Sequence, residues 1–173
     1  MGKKIILSTK RLKLRPFEEK DYNDFCEYIS DFRVNQNLGI LSPTNPNTLT
    51  KLFETNLKNP LCWALEPNNS NKIIGDIHFD NIVENYLGHL GFALNFNYQN
   101  NGYAFEAAQK IIDFGFDIVN LQRIRAVSLT CNTPSIKLLK KLDFQEEALI
   151  YEYDFGGTIG DVFFFSKVNN FKL

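Results

Sequence analysis

Residues 91–110, GFALNFNYQNNGYAFEAAQK, run from a strand through a polar, glycine-containing turn directly into a helix. A helix that starts straight after such a turn aims unpaired backbone N–H groups and the positive end of its dipole at one spot, which suits an anion. Gly102 can take a backbone conformation that other residues resist, and it keeps side-chain bulk away from whatever approaches the turn. On spacing alone, an ordinary strand, loop and helix with one glycine fits the stretch equally well. Other chemistry-bearing residues are sparse. The two histidines are His78 and His89; His78 shares a strand face by alternation with Asp76 and Asp80. There is no Gly-x-Ser-x-Gly elbow, and neither histidine has a Ser and an acid beside it in a hydrolase arrangement. Cys26, Cys62 and Cys131 are widely spaced without a CxxC pair, so the pattern signals neither a disulfide framework nor a metal site, and reduced, buried thiols are expected.

Composition bounds what can position that turn. With 173 residues, 44 % hydrophobic and 23 % charged, the chain suits one domain over 1–173 that buries a core without disulfides or metal. Its 16 Phe against 1 Trp and 1 Met make that core Phe-rich. A formal charge of -1 without a long basic run argues against a nucleic-acid partner. The apolar run near the N-terminus is too short for a signal peptide or membrane span, and Ile6 stands where myristoylation requires Ser or Thr. A cytoplasmic protein without membrane contact is expected, as a monomer or a homodimer.

Alternation at period two makes 11–17 a first strand, which Pro16 stops. The following EEKDYNDFCEYISD changes to helical spacing, with Tyr22, Phe25, Tyr28 and Ile29 on one face. A loop over 39–47 and a short helix, TLTKLFETNLK, come next. Strands over 61–66 and 73–82 and the strand that opens the 91–110 stretch form an antiparallel meander, with ENYLGH as the second turn. The helix after Gly102 keeps Phe105, Ala108, Ile111, Ile112 and Phe116 on one side. A further strand, within 120–130, completes a βαβ unit, so here the sheet turns parallel. A helix capped by Asn132 or Thr133, with Pro134 in its first turn, leads to a terminal hairpin that turns at Gly156 and Gly157.

Taken together, these features resemble the GCN5-related N-acetyltransferases (GNAT), and within them the ribosomal-protein N-acetyltransferase branch of the RimJ and RimL type. The superfamily signature, Gln or Arg, two residues, Gly, one residue, then Gly or Ala, stands here as Gln99-Asn100-Asn101-Gly102-Tyr103-Ala104. GYAFEA is similar to the branch's GYATEA, and LGFAL to its strand IGYWL. NTPSIKLLKKLDF is similar to the family's Asn, two residues, Ser and a helix ending in Gly-Phe, and STKRLKLRPFEEKDY is typical of the branch. The likeness covers about residues 9–168.

The resemblance implies an α+β fold: a mixed, mostly antiparallel sheet of about six to seven strands with a splayed parallel pair, flanked by about four helices. It also implies acetyl-CoA as donor, no metal, and an amine acceptor that attacks directly in a ternary complex. The pyrophosphate would sit on the turn of Gln99, Asn100, Asn101, Gly102, Tyr103 and Ala104, and the pantetheine arm would add along Phe92, Ala93 and Leu94 like an extra strand. Asn132 would hydrogen-bond the arm, and Ser135 would donate a hydrogen bond or a proton to the departing thiolate. A backbone N–H near Phe92 or Leu94 would polarise the thioester carbonyl. Where many members carry a Glu, this chain has His89, and an imidazole is a competent base at neutral pH. Glu152 is its rival, and His78 reads as structural. With Asn100 in place of a Gly or Arg, candidate partners for the adenosine phosphate are Lys137, Lys140 and Lys141. Asp143 replaces the usual Gly before Phe144 and is expected in the left-handed conformation there. The contrasting reading is a non-catalytic acyl-CoA-binding module that lost its base. The acceptor groove, expected between the loop and helix of 39–60 and the terminal hairpin, carries no legible code.

Overall fold

The structure, a computed structural model, describes residues 5–40, 44–83, 86–155 and 157–169. The expected turn residue Gly156 and part of the expected acceptor loop, 41–43, lie outside them. The described strands are β1 (Leu7–Ser8), β2 (Leu12–Arg15), β3 (Cys62–Pro67), β4 (Gly75–Val83), β5 (Leu87–Leu94), β6 (Arg123–Leu129), β7 (Gln145–Phe155) and β8 (Thr158–Val168). The helices are α1 (Tyr22–Ser30), α2 (Phe32–Asn35), α3 (Pro46–Lys58), α4 (Tyr103–Asp117) and α5 (Thr133–Lys141). The strands form one sheet in the order β1-β2-β3-β4-β5-β6-β8-β7, antiparallel except where β5 meets β6. The expected α+β architecture is present, with eight strands rather than six to seven and five α-helices rather than four. The additions are the two-residue β1 and the four-residue α2, both too short to leave a periodic trace.

Alternation along the strands sends side chains to two separate cores. On one face Trp63, Leu65, Ile77, Phe79, Leu90 and Leu94 pack against Ala107, Ala108, Ile111 and Ile112 of α4 and Leu139 of α5. Phe114, not the expected Phe116, is the deeper α4 aromatic, set edge-on to Trp63 at 5.4 Å. On the other face Phe17, Phe25, Tyr28 and Phe53 meet edge-on or tilted above Cys62, Ala64 and Ala93. Each such ring contributes about 1.5–3 kcal/mol through burial, and together they hold α1 and α3 over β3 and β5. β5 starts earlier than expected, so His89 is its third residue rather than part of a turn. The terminal hairpin is also longer than expected, because TIGD belongs to β8. Cys62 is buried and Cys26 half-buried, while Cys131 is exposed, contrary to expectation. No described helix is long and apolar enough to cross a membrane.

Candidate active site

The turn before α4 is built as its sequence requires. Asn100 (φ 61°) and Gly102 (φ 79°) both take the left-handed conformation, which Asn tolerates and Gly adopts freely. Gln99 Nε2 donates to Leu94 O at 3.0 Å, and Asn101 Nδ2 donates to Gln99 O at 2.9 Å, tying the turn to the end of β5. The bond from Glu106 N–H to Gly102 O, 3.1 Å, opens the α4 ladder, so the helix offers no carbonyl to the N–H groups of Tyr103, Ala104 and Phe105. Arg11 braces the turn from outside. It donates from Nη1 to Asn101 O (2.8 Å) and from Nε to Glu106 Oε2 (2.7 Å), and its guanidinium lies 4.6 Å from the centre of the Tyr103 ring. Partial burial pushes the Glu106 carboxyl up, but hydrogen bonds from Thr9 and Arg11 outweigh it and hold the group below the usual range. Nothing in the sequence near Arg11 announced this role, because its partners lie 90 and 95 residues away along the chain.

Next to the turn, the sheet parts. β5 and β6 pair only from Leu87 with Arg123 to His89 with Arg125; beyond His89 they diverge and leave one edge of β5 without a strand partner. Two cavities meet there. The larger, about 720 Å³, is lined by Phe92, Ala93, Leu94, Gln99, Asn100, Gly102, Tyr103 and Ala104. The smaller, about 350 Å³, is lined by His89, Gly91, His78 and Asp80. Phe92, Ala93, Asn132 and Ser135 line both. Asn132 Oδ1 accepts the Ser135 N–H at 3.2 Å, so the pair caps α5 at the junction of the two cavities. Asn101 lines neither cavity: its side chain is turned onto the loop, and it shapes the turn instead. Lys137 and Lys141 line the larger cavity, Lys141 lying over the Phe105 ring at 4.5 Å, while Lys140 pairs with Glu146 at 3.1 Å instead. Arg33, stacked on Phe96 at 3.9 Å, is a further cation on that wall which the sequence did not single out.

His89 faces the smaller cavity, with Asp80 opposite on β4 and Arg125 opposite on β6. Burial and the nearby Arg125 cation push its imidazole below 6.5, against a weaker pull from Asp80, so the ring is neutral at pH 7. Glu152 sits exposed in the irregular stretch of β7, its N–H bound to Asp161 Oδ1, and lines neither cavity. His78 is held between two carboxylates, Nδ1 at 3.1 Å from Asp76 and Nε2 at 3.2 Å from Asp80. Burial opposes charge on that ring, but the hydrogen bonds to Asp76, Asp80 and Cys62 raise it well above 6.5. The Tyr28 hydroxyl donates to Asp76 at 2.7 Å and extends the network into the core. Cys62, Asp76 and His78 bring metal-type ligand atoms within 4.8 Å of one another. Protons already link them, since burial pushes the Cys62 thiol up to about 11 and both His78 nitrogens are engaged.

A left-handed turn feeding a helix start, a parallel strand pair that parts, and an Asn-capped helix at the parting are the features that the resemblance to the GNAT acyltransferases implied. The chain belongs to that family: the Acetyltransferase (GNAT) domain model matches residues 11–145. Among its relatives is the uncharacterized N-acetyltransferase p20 of Bacillus licheniformis, 36 % identical over 169 residues, with 92 % of this chain and 94 % of p20 covered. The ribosomal-protein-S5-alanine acetyltransferase of Vibrio fischeri shares the fold with a TM-score of 0.76 at 26 % identity, covering 96 % and 97 % of the two chains. The Microcin C7 self immunity acetyltransferase MccE, solved with acetyl-CoA and AMP, shares it with a TM-score of 0.77 at 20 % identity over 92 % and 93 %. The protein is therefore an N-acetyltransferase of the GNAT family, with RimJ-type enzymes among its structural neighbours.

Proposed function

We propose that the protein transfers an acetyl group from acetyl-CoA to a primary amine by direct attack in a ternary complex. The observation that carries this reading is the meeting of the two cavities at Phe92, Ala93, Asn132 and Ser135, beside the strand edge that β6 leaves open. Acetyl-CoA supplies the thioester. The residues present suit it: the N–H groups at the start of α4 and the left-handed turn fit a pyrophosphate, and the open edge of Phe92, Ala93 and Leu94 fits an amide-bearing arm. Lys137 and Lys141 line the same larger cavity and are the candidate partners for the adenosine phosphate.

On the acceptor side, His89 takes one proton from the ammonium group, which is mostly charged at neutral pH and cannot attack until it loses it. A backbone N–H of β5, near Phe92 or Leu94, polarises the carbonyl. Asn132 steadies the arm, and the Ser135 hydroxyl passes a proton to the departing sulfur. The proton balance closes: one ammonium proton leaves through His89 to solvent, and a second N–H proton is matched by the one gained at sulfur. The proton-acceptor assignment favours His89 over Glu152 because His89 lines the smaller cavity, which meets the larger one at Asn132 and Ser135, and Glu152 lines neither.

The test is release of free CoA from acetyl-CoA against a panel of amines and N-terminal peptides. Amine-dependent release is expected for at least one acceptor class. Tight acetyl-CoA binding without release across the panel would point instead to a non-catalytic acyl-CoA-binding module.

A further inference from the structure

The smaller cavity has a composition that selects among amines. One wall is apolar and comes from elements far apart in sequence: Phe25 and Ile29 of α1, Leu38 and Ile40 of the following loop, Leu52 of α3, and Phe155 at the end of β7. The opposite wall carries the charge. Its titratable groups are Asp76, His78 and Asp80 of β4 and His89 of β5, and no Lys or Arg appears among its described lining residues; Arg125 acts on His89 from the neighbouring strand. His78 bridges the two carboxylates, and its ring lies across Gly91, where a Cβ would collide with Nε2. Asp76 and Asp80 are thus the acidic groups of that wall, and Asp76 is buried. Asp80 is its most open member, 54 % exposed and bonded to His78 through Oδ2 at 3.2 Å. On the outer side, Gly39 (φ 65°) packs so tightly on the backbone of Phe155 that a Cβ there would collide with the carbonyl oxygen, so the loop after α2 and the terminal hairpin meet across the cavity.

We propose that this cavity takes a small primary amine with an apolar body, the ammonium at Asp80 and the body against the Phe25, Leu52 and Phe155 wall, rather than a polypeptide N-terminus. This rests on the acetyltransferase reading above but concerns only the acceptor. A space of about 350 Å³ suits a molecule of roughly a dozen heavy atoms. The Gly39–Phe155 contact joins the two segments whose Leu38, Ile40 and Phe155 line the cavity, which leaves less width for a polypeptide than for a compact amine. Apolar walls and the absence of any acid beyond Asp76 and Asp80 among the described lining residues disfavour polyamines, whose further ammonium groups would lie against apolar side chains without partners.

Acetyl transfer is compared for phenethylamine, spermidine and an alanine-initiated hexapeptide. In parallel, phenethylamine is titrated calorimetrically into wild-type and Asp80→Asn protein saturated with CoA. The expected result is a kcat/KM for phenethylamine at least about tenfold above the other two, and an amine KM and Kd about tenfold weaker in Asp80→Asn with the KM for acetyl-CoA unchanged. Preference for the peptide or for spermidine overturns the inference and leaves the transferase reading standing. Phenethylamine binding that depends on Asp80 without any acetyl transfer upholds the inference and removes the transferase chemistry. No phenethylamine binding, or binding indifferent to Asp80→Asn in a protein that still unfolds cooperatively, overturns it.

Discussion

At the scale of single residues, the two histidines are set apart by what surrounds them. His89 has a cation on one side and loses its proton readily; His78 has a carboxylate at each nitrogen and keeps it. Neither environment is legible from the residue type. Alternation placed Asp76, His78 and Asp80 on one face, but only the approach of Cys62 and Tyr28 from other elements completes the network. Because the folded value of His78 lies above its unfolded one, its contribution to stability is complete below about pH 6.5 and is lost as pH rises through the folded value. Asp80 has the opposite sign: its folded value is depressed by the His78 hydrogen bond, so its contribution is present at neutral pH and lost on acidification. Denaturant unfolding from about pH 6 to about pH 9 should therefore show a decline of about 1–2 kcal/mol that His78→Gln largely removes. An equal decline in the variant would place the alkaline titration elsewhere.

Elements show a similar mixture of what local sequence decides and what only packing decides. α5 begins as read, with Asn132 as cap and Pro134 in the first turn. It ends at Lys141, and Asp143, two residues on, has φ 61°; Asp143 N–H reaches Lys140 O at 3.1 Å and Phe144 N–H reaches Leu139 O at 3.0 Å. The left-handed residue expected there is present, carried by an aspartate that strains to hold it. The ion pair of Asp143 with Lys167, 3.6 Å, is 85 % exposed on the Asp side and contributes little. Asp143→Gly should accordingly raise stability by about 0.5–1 kcal/mol in thermal or denaturant unfolding; a loss of stability would mean that the carboxylate matters more than the backbone strain. By contrast, the parting of β5 from β6 has no local signal. It follows from a pairing that stops at Arg125, which the family resemblance implied and the patterning of either strand did not.

The whole molecule is a single sheet with a core on each face, and the candidate site lies where two of its strands separate between those cores. The element order and the glycine turn into α4 were legible because both depend on short-range patterning. Arg11 against Glu106, and Gly39 against Phe155, were not, since each joins segments about a hundred residues apart along the chain. The acceptor wall was hidden for the same reason: its apolar half and its charged half come from different layers. At this scale the account rests on one claim, that a neutral His89 at the parting of β5 and β6 accepts the proton of an amine. The direct measurement is the pH dependence of kcat/KM for wild type and His89→Ala, with acetyl-CoA affinity measured alongside. Wild type should gain activity through a limb below about pH 6.5. The variant should lose that limb and turn over more slowly at pH 7, with acetyl-CoA binding near wild type. Unchanged turnover of His89→Ala across pH 6 to 9 would remove His89 from the mechanism.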